Sequence, residues 1–184
     1  MKFELNSAQQ LSLMIKLAAE GHKDQFDKGG RPYILHVLKV MHYLKSNDDE
    51  LNCIAVGHDL VEDCGVTFVE LAAYGFSERV VDGINRLTKK AGQSHDVYLS
   101  GILYSPDACR VKLADLRHNT DIRRLKGLRE KDFARMQKYL KMYKTIEMML
   151  EWDVSHRLES YLSVSEYYEH RIGYIEELLD DKGN

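Results

Sequence analysis

GHDLVEDCGVT, residues 57–67, carries one histidine and three carboxylates: His58, Asp59, Glu62 and Asp63. It follows an apolar run through Leu51, Ile54 and Ala55, so it reads as the end of a helix that starts at the acidic NDDE of 47–50 and runs to Asp63. On that helix His58 and Glu62 share one face at i and i+4, with Asp59 and Asp63 on the adjoining one. Charged residues usually face solvent. Alone, the stretch reads as a charged helix surface more readily than as a metal site with carboxylates beside it.

The flanking segments read as helical too. Ser7 and Gln10 have capping-box spacing before Leu11, Met14, Ile15 and Ala18. KDQFDKGGRPY, residues 23–33, is a loop, broken by Gly29-Gly30 and ended by Pro32. A helix follows over about 34–45. Thr67 with Glu70, Ser77, and Ser105-Pro106 mark three further helix starts. A short helix is expected around 97–104, and two more over about 131–152 and 156–179. Together these predict an all-α fold, a bundle of eight or nine helices in a single domain over 1–184. The motif-bearing core spans about 8–125.

Composition is consistent with that fold. The chain has 184 residues, 44% hydrophobic and 30% charged, with only two prolines, which suits one soluble globular domain. A net charge of −3 argues against a nucleic-acid binder. Cys53, Cys64 and Cys109 are isolated, forming neither a disulfide framework nor a metal knuckle. No run approaches membrane-spanning length, so no membrane partner is expected and the location expected is cytoplasmic.

An adjacent His-Asp pair can ligate one divalent ion if other helices add ligands. His36, after Tyr33-Ile34-Leu35, and Asp115, after Val111 to Ala114, offer suitable donors in apolar surroundings. There an unpaired carboxylate is costly. Read from the residues alone, metal site and charged surface stay equally open.

HKDQFDKGGRPYILH (22–36), GHDLVEDCGVT (57–67) and VKLADLRHNT (111–120) together resemble the RelA/SpoT-type hydrolase domain of the HD phosphohydrolase superfamily. The match covers about 8–125, and the chain resembles the small stand-alone alarmone hydrolases, such as those of the metazoan SpoT-homologue type. The resemblance implies one Mn²⁺ held by His36, His58, Asp59 and Asp115, with Glu62 and Asp63 as catalytic carboxylates. It implies removal of the 3′-pyrophosphate from ppGpp or pppGpp, giving GDP or GTP and pyrophosphate. Related members act instead on another phosphorylated nucleotide such as NADPH, and a non-catalytic nucleotide-binding domain is the third reading. Lys28, Arg31, Asn119 and Lys89 are candidate substrate contacts; Tyr98, Lys138, Tyr139 and Tyr143 are candidates for a distal wall. His22 reads as structural.

Four positions depart from the family pattern. Asp27 replaces an arginine, Val37 a proline and Cys64 a threonine, and Thr120-Asp121 replaces a hydrophobic residue and an arginine. The acidic changes put the substrate-recognition layer in question. The last two helices are expected to complete the core, the pocket wall or a homo-oligomer surface.

Overall fold

The computed structural model describes residues 5–157 and 164–180. Ten α-helices occur among them: α1 Ser7–Gly21, α2 Ile34–Leu44, α3 Asp49–Gly57, α4 Leu60–Asp63, α5 Phe68–Ala73, α6 Glu78–Leu87, α7 His95–Leu103, α8 Pro106–Asn119, α9 Glu130–Arg157 and α10 Val164–Asp180. Taking α3 and α4 as one interrupted helix gives nine. The all-helical expectation holds among the described residues, whose only β feature is an isolated bridge between Phe26 and Pro32 across the glycine loop.

Helix starts follow local chemistry. Thr67 and Glu70 form a reciprocal capping box, and the Ser77 and Ser105 hydroxyls accept from Val80 N and Ala108 N. The first start is shifted by one residue from the Ser7–Gln10 expectation. Asn6 caps Gln9 N at 2.9 Å and Gln9 bonds back to Asn6 N. Asparagine caps at least as well as serine, and Gln10 is taken elsewhere. It is buried, accepting from Ser77 N at 2.9 Å and donating to the Leu5 carbonyl.

Helix α3 is the hub. Its residues from Leu51 to Gly57 are all buried, apolar but for Asn52, whose amide donates to the Ser46 carbonyl at 3.0 Å. Around it pack α1, α2, α6 and α8, while α7 and α9 close over α8 and α10 covers α9. Met14, Ile54, Leu60, Ile84, Leu99, Leu116 and Ile146 are fully buried between these layers, each worth about 1.5–3 kcal/mol on transfer from water. No described helix is long and apolar enough to cross a membrane.

The predicted single helix to Asp63 is interrupted at His58-Asp59. Asp59, at φ −101° and ψ −4°, opens the coil, although Asp63 N still reaches the Asp59 carbonyl at 2.9 Å. The physical reason is angular. Adjacent residues on a regular helix point about 100° apart, so His58 and Asp59 meet at one point only where the coil gives way.

Candidate metal centre and substrate pocket

Three helices deliver the donors. His36 enters in the first turn of α2, His58 and Asp59 lie at the α3–α4 break, and Asp115 sits in the last turns of α8. His36, His58 and Asp115 are buried, with one ligand atom from each all within 4.8 Å of one another. Asp59 joins them: its Oδ2 is 3.6 Å from His36 Nε2 and 3.0 Å from His58 Nε2. On the other side, Asp115 Oδ1 is 3.3 Å from His36 Nε2 and 3.9 Å from His58 Nε2.

His58 shows that this cluster fits a cation. Its Nδ1 lies 2.8 Å from the Ala55 carbonyl, which fixes the proton on Nδ1 and leaves Nε2 as an acceptor. Nε2 is buried without a hydrogen-bond partner; Asp59 is close but not in line for one. An orphaned buried nitrogen facing carboxylates calls for an ion or a proton. Two imidazole nitrogens and two carboxylates suit a divalent metal.

The surroundings hold each donor in place. His36 Nδ1 meets His118 Nδ1 at 2.6 Å, and their rings stack. Burial, Arg124 and His36 pull the His118 ring down to about 4, so it stays neutral and accepts the proton that leaves His36 Nε2 free. Tyr33 donates its hydroxyl to Asp59 Oδ2 at 2.8 Å. Asn119 donates to Asp115 Oδ1 at 2.6 Å, and Lys112 Nζ to Asp115 Oδ2 at 2.9 Å. Burial opposes the Asp115 charge, but Lys112, then the two histidines, hold its carboxyl well below the usual range.

Sequence reading missed Tyr33, Lys112 and His118 as parts of this site. Lys112 and His118 carry a signal that was legible: on α8 they sit at i−3 and i+3 from Asp115. Tyr33 carries none, because its partner is 26 residues away.

Beside the cluster lies a cavity of about 270 Å³, lined by Tyr33, Asp59, Glu62, Asp63, Lys89, Tyr98, Lys112, Asp115, Asn119, Lys138 and Tyr139, among others. It brings together the three carboxylates of the opening motif and five of the eight expected substrate contacts and wall residues. Glu62 Oε2 accepts from Lys89 N at 3.0 Å. Asp63 is raised by burial, then by the charges of Asp59 and Glu62. Tyr98 is largely a core residue, its hydroxyl donating to the Leu87 carbonyl at 2.7 Å.

Lys28 and Arg31 lie elsewhere. Lys28 lines a separate cavity with Lys126, Arg129 and Asp132, and Arg31 is exposed. Tyr143 also leaves the expected wall and lines a cavity with Tyr43 and Arg117. Tyr139 and Tyr143 are one helical turn apart on α9, but Tyr139 lines the pocket and Tyr143 the other cavity.

The acidic departures act within the backbone. Asp27 Oδ1 accepts from Gly29 N and Arg31 N, each at 2.9 Å, while Oδ2 holds Arg124 at 3.1 Å. A Cβ on Gly29 would collide with the Arg124 carbonyl, so loop and arginine are packed as one piece. Asp121 caps the 3-10 turn Ile122–Arg124 and pairs with Arg123. His22 and Cys64 brace the other side. His22 Nδ1 lies 2.8 Å from Gln25 Oε1, Gln25 Nε2 donates to the Asp63 carbonyl at 2.8 Å, and Cys64 Sγ packs 3.3 Å from His22 Nδ1.

The fold and the cluster define the class, an all-α protein with a His–Asp cluster buried between three helices. The particular likeness is to proteins named guanosine-3′,5′-bis(diphosphate) 3′-pyrophosphohydrolase. The chain is 30% identical over 175 residues to a guanosine-3′,5′-bis(diphosphate) 3′-pyrophosphohydrolase of Aquifex aeolicus, covering 87% of this chain and 25% of that protein. It is 31% identical over 178 residues to the protein of that name in Haemophilus influenzae, covering 89% of this chain and 26% of that one. The chain thus spans about a quarter of the length of these curated relatives. A solved metazoan orthologue of SpoT, described as hydrolysing ppGpp and acting in starvation responses, shares the fold. Its TM-score is 0.63 at 19% identity, over 85% of this chain and 98% of that one. No family model matches the chain.

Proposed function

We propose that the chain is a metal-dependent phosphohydrolase that removes the 3′-pyrophosphate of ppGpp or pppGpp, giving GDP or GTP and pyrophosphate. The observation that carries this reading is the orphaned His58 Nε2 among His36, Asp59 and Asp115, opening on a cavity that holds both Glu62 and Asp63. The likeness to 3′-pyrophosphohydrolases supports the choice of substrate. The same reading takes 1–184 as one domain acting on a small nucleotide.

His36, His58, Asp59 and Asp115 would hold one Mn²⁺, which when bound supplies Lewis acidity and positive charge at the phosphoryl group. The side chains do the rest. Asp63, its carboxyl raised by burial and by the charges of Asp59 and Glu62, takes the proton of the attacking water. Glu62, tied to the Lys89 backbone, orients that water from the opposite side of the pair. A bond forms from the water oxygen to phosphorus, the bond to the ribose 3′ oxygen breaks, and that oxygen takes up a proton. Lys89 and Lys138, exposed at the rim, bring charge to the phosphates. Asn119 and Lys112 keep Asp115 in place throughout.

Incubation of the purified protein with Mn²⁺ and ppGpp should release pyrophosphate, with products separated by chromatography. A Glu62→Gln/Asp63→Asn variant should keep its fold and lose turnover by about 10²-fold or more. Release of monophosphate from NADPH with ppGpp untouched would transfer the chemistry to another nucleotide. Binding without turnover under every divalent ion would sink the hydrolase reading.

A further inference from the structure

Helix α8 has a second working face. Arg110, Leu113 and Arg117 point away from Lys112, Asp115 and Asn119, as helical spacing requires. They line a cavity of about 370 Å³ with Tyr43, Lys45 and Tyr143, at the lower end of the roughly 300–1,000 Å³ of small-ligand sites.

Its charge is one-sided. Three cations line it and no carboxylate does, in a chain whose net charge is −3. Elsewhere arginines are spent on carboxylates: Arg79 on Asp48, Glu50 and Asp107, Arg124 on Asp27, Arg171 on Asp153. Among the described residues Arg110, Arg117 and Lys45 are in no salt bridge. Glu147 and Glu151 line a separate groove beyond Leu113, and Glu147 is held by Lys144. The Arg117 guanidinium lies 4.2 Å over the Tyr43 ring, a cation–π contact that steadies its planar donor fork.

The cavity wall also reaches the metal centre. Tyr43 packs edge-on against His118, 6.1 Å between centroids, and His118 holds His36. Three rings in contact therefore join Arg117 to a donor of the His–Asp cluster.

We propose that this cavity is a second ligand site, taking a phosphate ester of mononucleotide size, whose occupancy is felt at His36 through Tyr43 and His118. The phosphate meets Arg110, Arg117 and Lys45, and the ring portion lies on Tyr143 and Leu113. Binding stands apart from the hydrolase reading; transmission to His36 rests on it.

The test is calorimetric titration of GMP into the full chain with chelator present, with inorganic phosphate as the second probe. The expected result is saturable binding of GMP, tighter than phosphate. It weakens tenfold or more in Arg110→Ala and in Arg117→Ala, both exposed positions, and also in Lys45→Ala. A Lys89→Ala/Lys138→Ala variant, altered only in the metal pocket, should bind as before. Mn²⁺ affinity should then change at least about threefold with GMP bound, and GMP affinity by the same factor with Mn²⁺ bound. No saturable binding overturns the site, as does binding lost in Lys89→Ala/Lys138→Ala but kept in the arginine variants. Phosphate binding as tightly as GMP overturns the ester, and an unmoved Mn²⁺ affinity overturns the transmission. Failure of ppGpp turnover with GMP binding intact removes the hydrolase reading and leaves the site.

Discussion

His58 holds its Nδ1 proton on the Ala55 carbonyl and presents Nε2 to two aspartates. Without metal, burial disfavours a charged ring, but Asp59 and Asp115 outweigh it and push His58 up to about 9 from 6.5. A raised folded pKa stabilises the protonated state. That contribution is complete below pH 6.5 and is lost as pH rises toward about 9. Urea denaturation in chelator should therefore show stability falling across this window, with saturating Mn²⁺ reversing the trend because the ion must displace the same proton. Stability that rises with pH there would contradict the assignment. Lys112 is the other residue that decides the centre. Lys112→Met would leave Asp115 buried without its ammonium partner, costing about 3 kcal/mol in chelator, and less once Mn²⁺ supplies charge. Equal losses with and without metal would mean that Lys112 serves packing alone.

At the level of elements, the site depends on how closely α3 is approached. Gly83 of α6 lies so near that a Cβ there would sit 2.5 Å from Ile54 Cδ1. Gly83→Ala should cost about 1–3 kcal/mol by overpacking, more than the helix-propensity gain of roughly 0.5–1 kcal/mol, as read from the denaturation midpoint. An unchanged midpoint would show that α6 can shift freely. The α3–α4 break illustrates where periodicity stops being informative. Leu51 to Val56 predicted a helix through Asp63, and the capping residues Thr67, Ser77 and Ser105 were legible because cap chemistry is local. The opening at Asp59 was not, because its cause is the position of His36 and Asp115, on helices far away in sequence.

Across the whole molecule, α9 and α10 are fastened by one buried ion pair. Arg171 meets Asp153 at 2.7 and 3.1 Å, both residues are almost fully buried, and Tyr167 donates to the same carboxylate. Removing one partner strands a buried charge. Arg171→Met should lower stability by about 3 kcal/mol, and Asp153→Leu/Arg171→Met should recover most of it. Thermal denaturation of the two variants checks this, and a double variant no better than the single would assign the pair a role beyond charge balance. Because α9 also carries Lys138 and Tyr139 to the cavity beside the His–Asp cluster, this fastening helps to set that cavity's far wall.

Helix content, the caps, and the donor types at His36, His58, Asp59 and Asp115 were determined by the sequence itself, since spacing and side-chain chemistry act over a few residues. The second pair of GHDLVEDCGVT likewise declared its acidity in advance. Tertiary structure alone decided which side chains share a point: Tyr33 on Asp59, His118 on His36, Lys89 over Glu62, and Lys28, Arg31 and Tyr143 away from the pocket. It also turned Asp27 from a departure that puts substrate recognition in question into the anchor of Arg124. These outcomes depend on crossing angles and packing between distant helices, and no local periodicity encodes them.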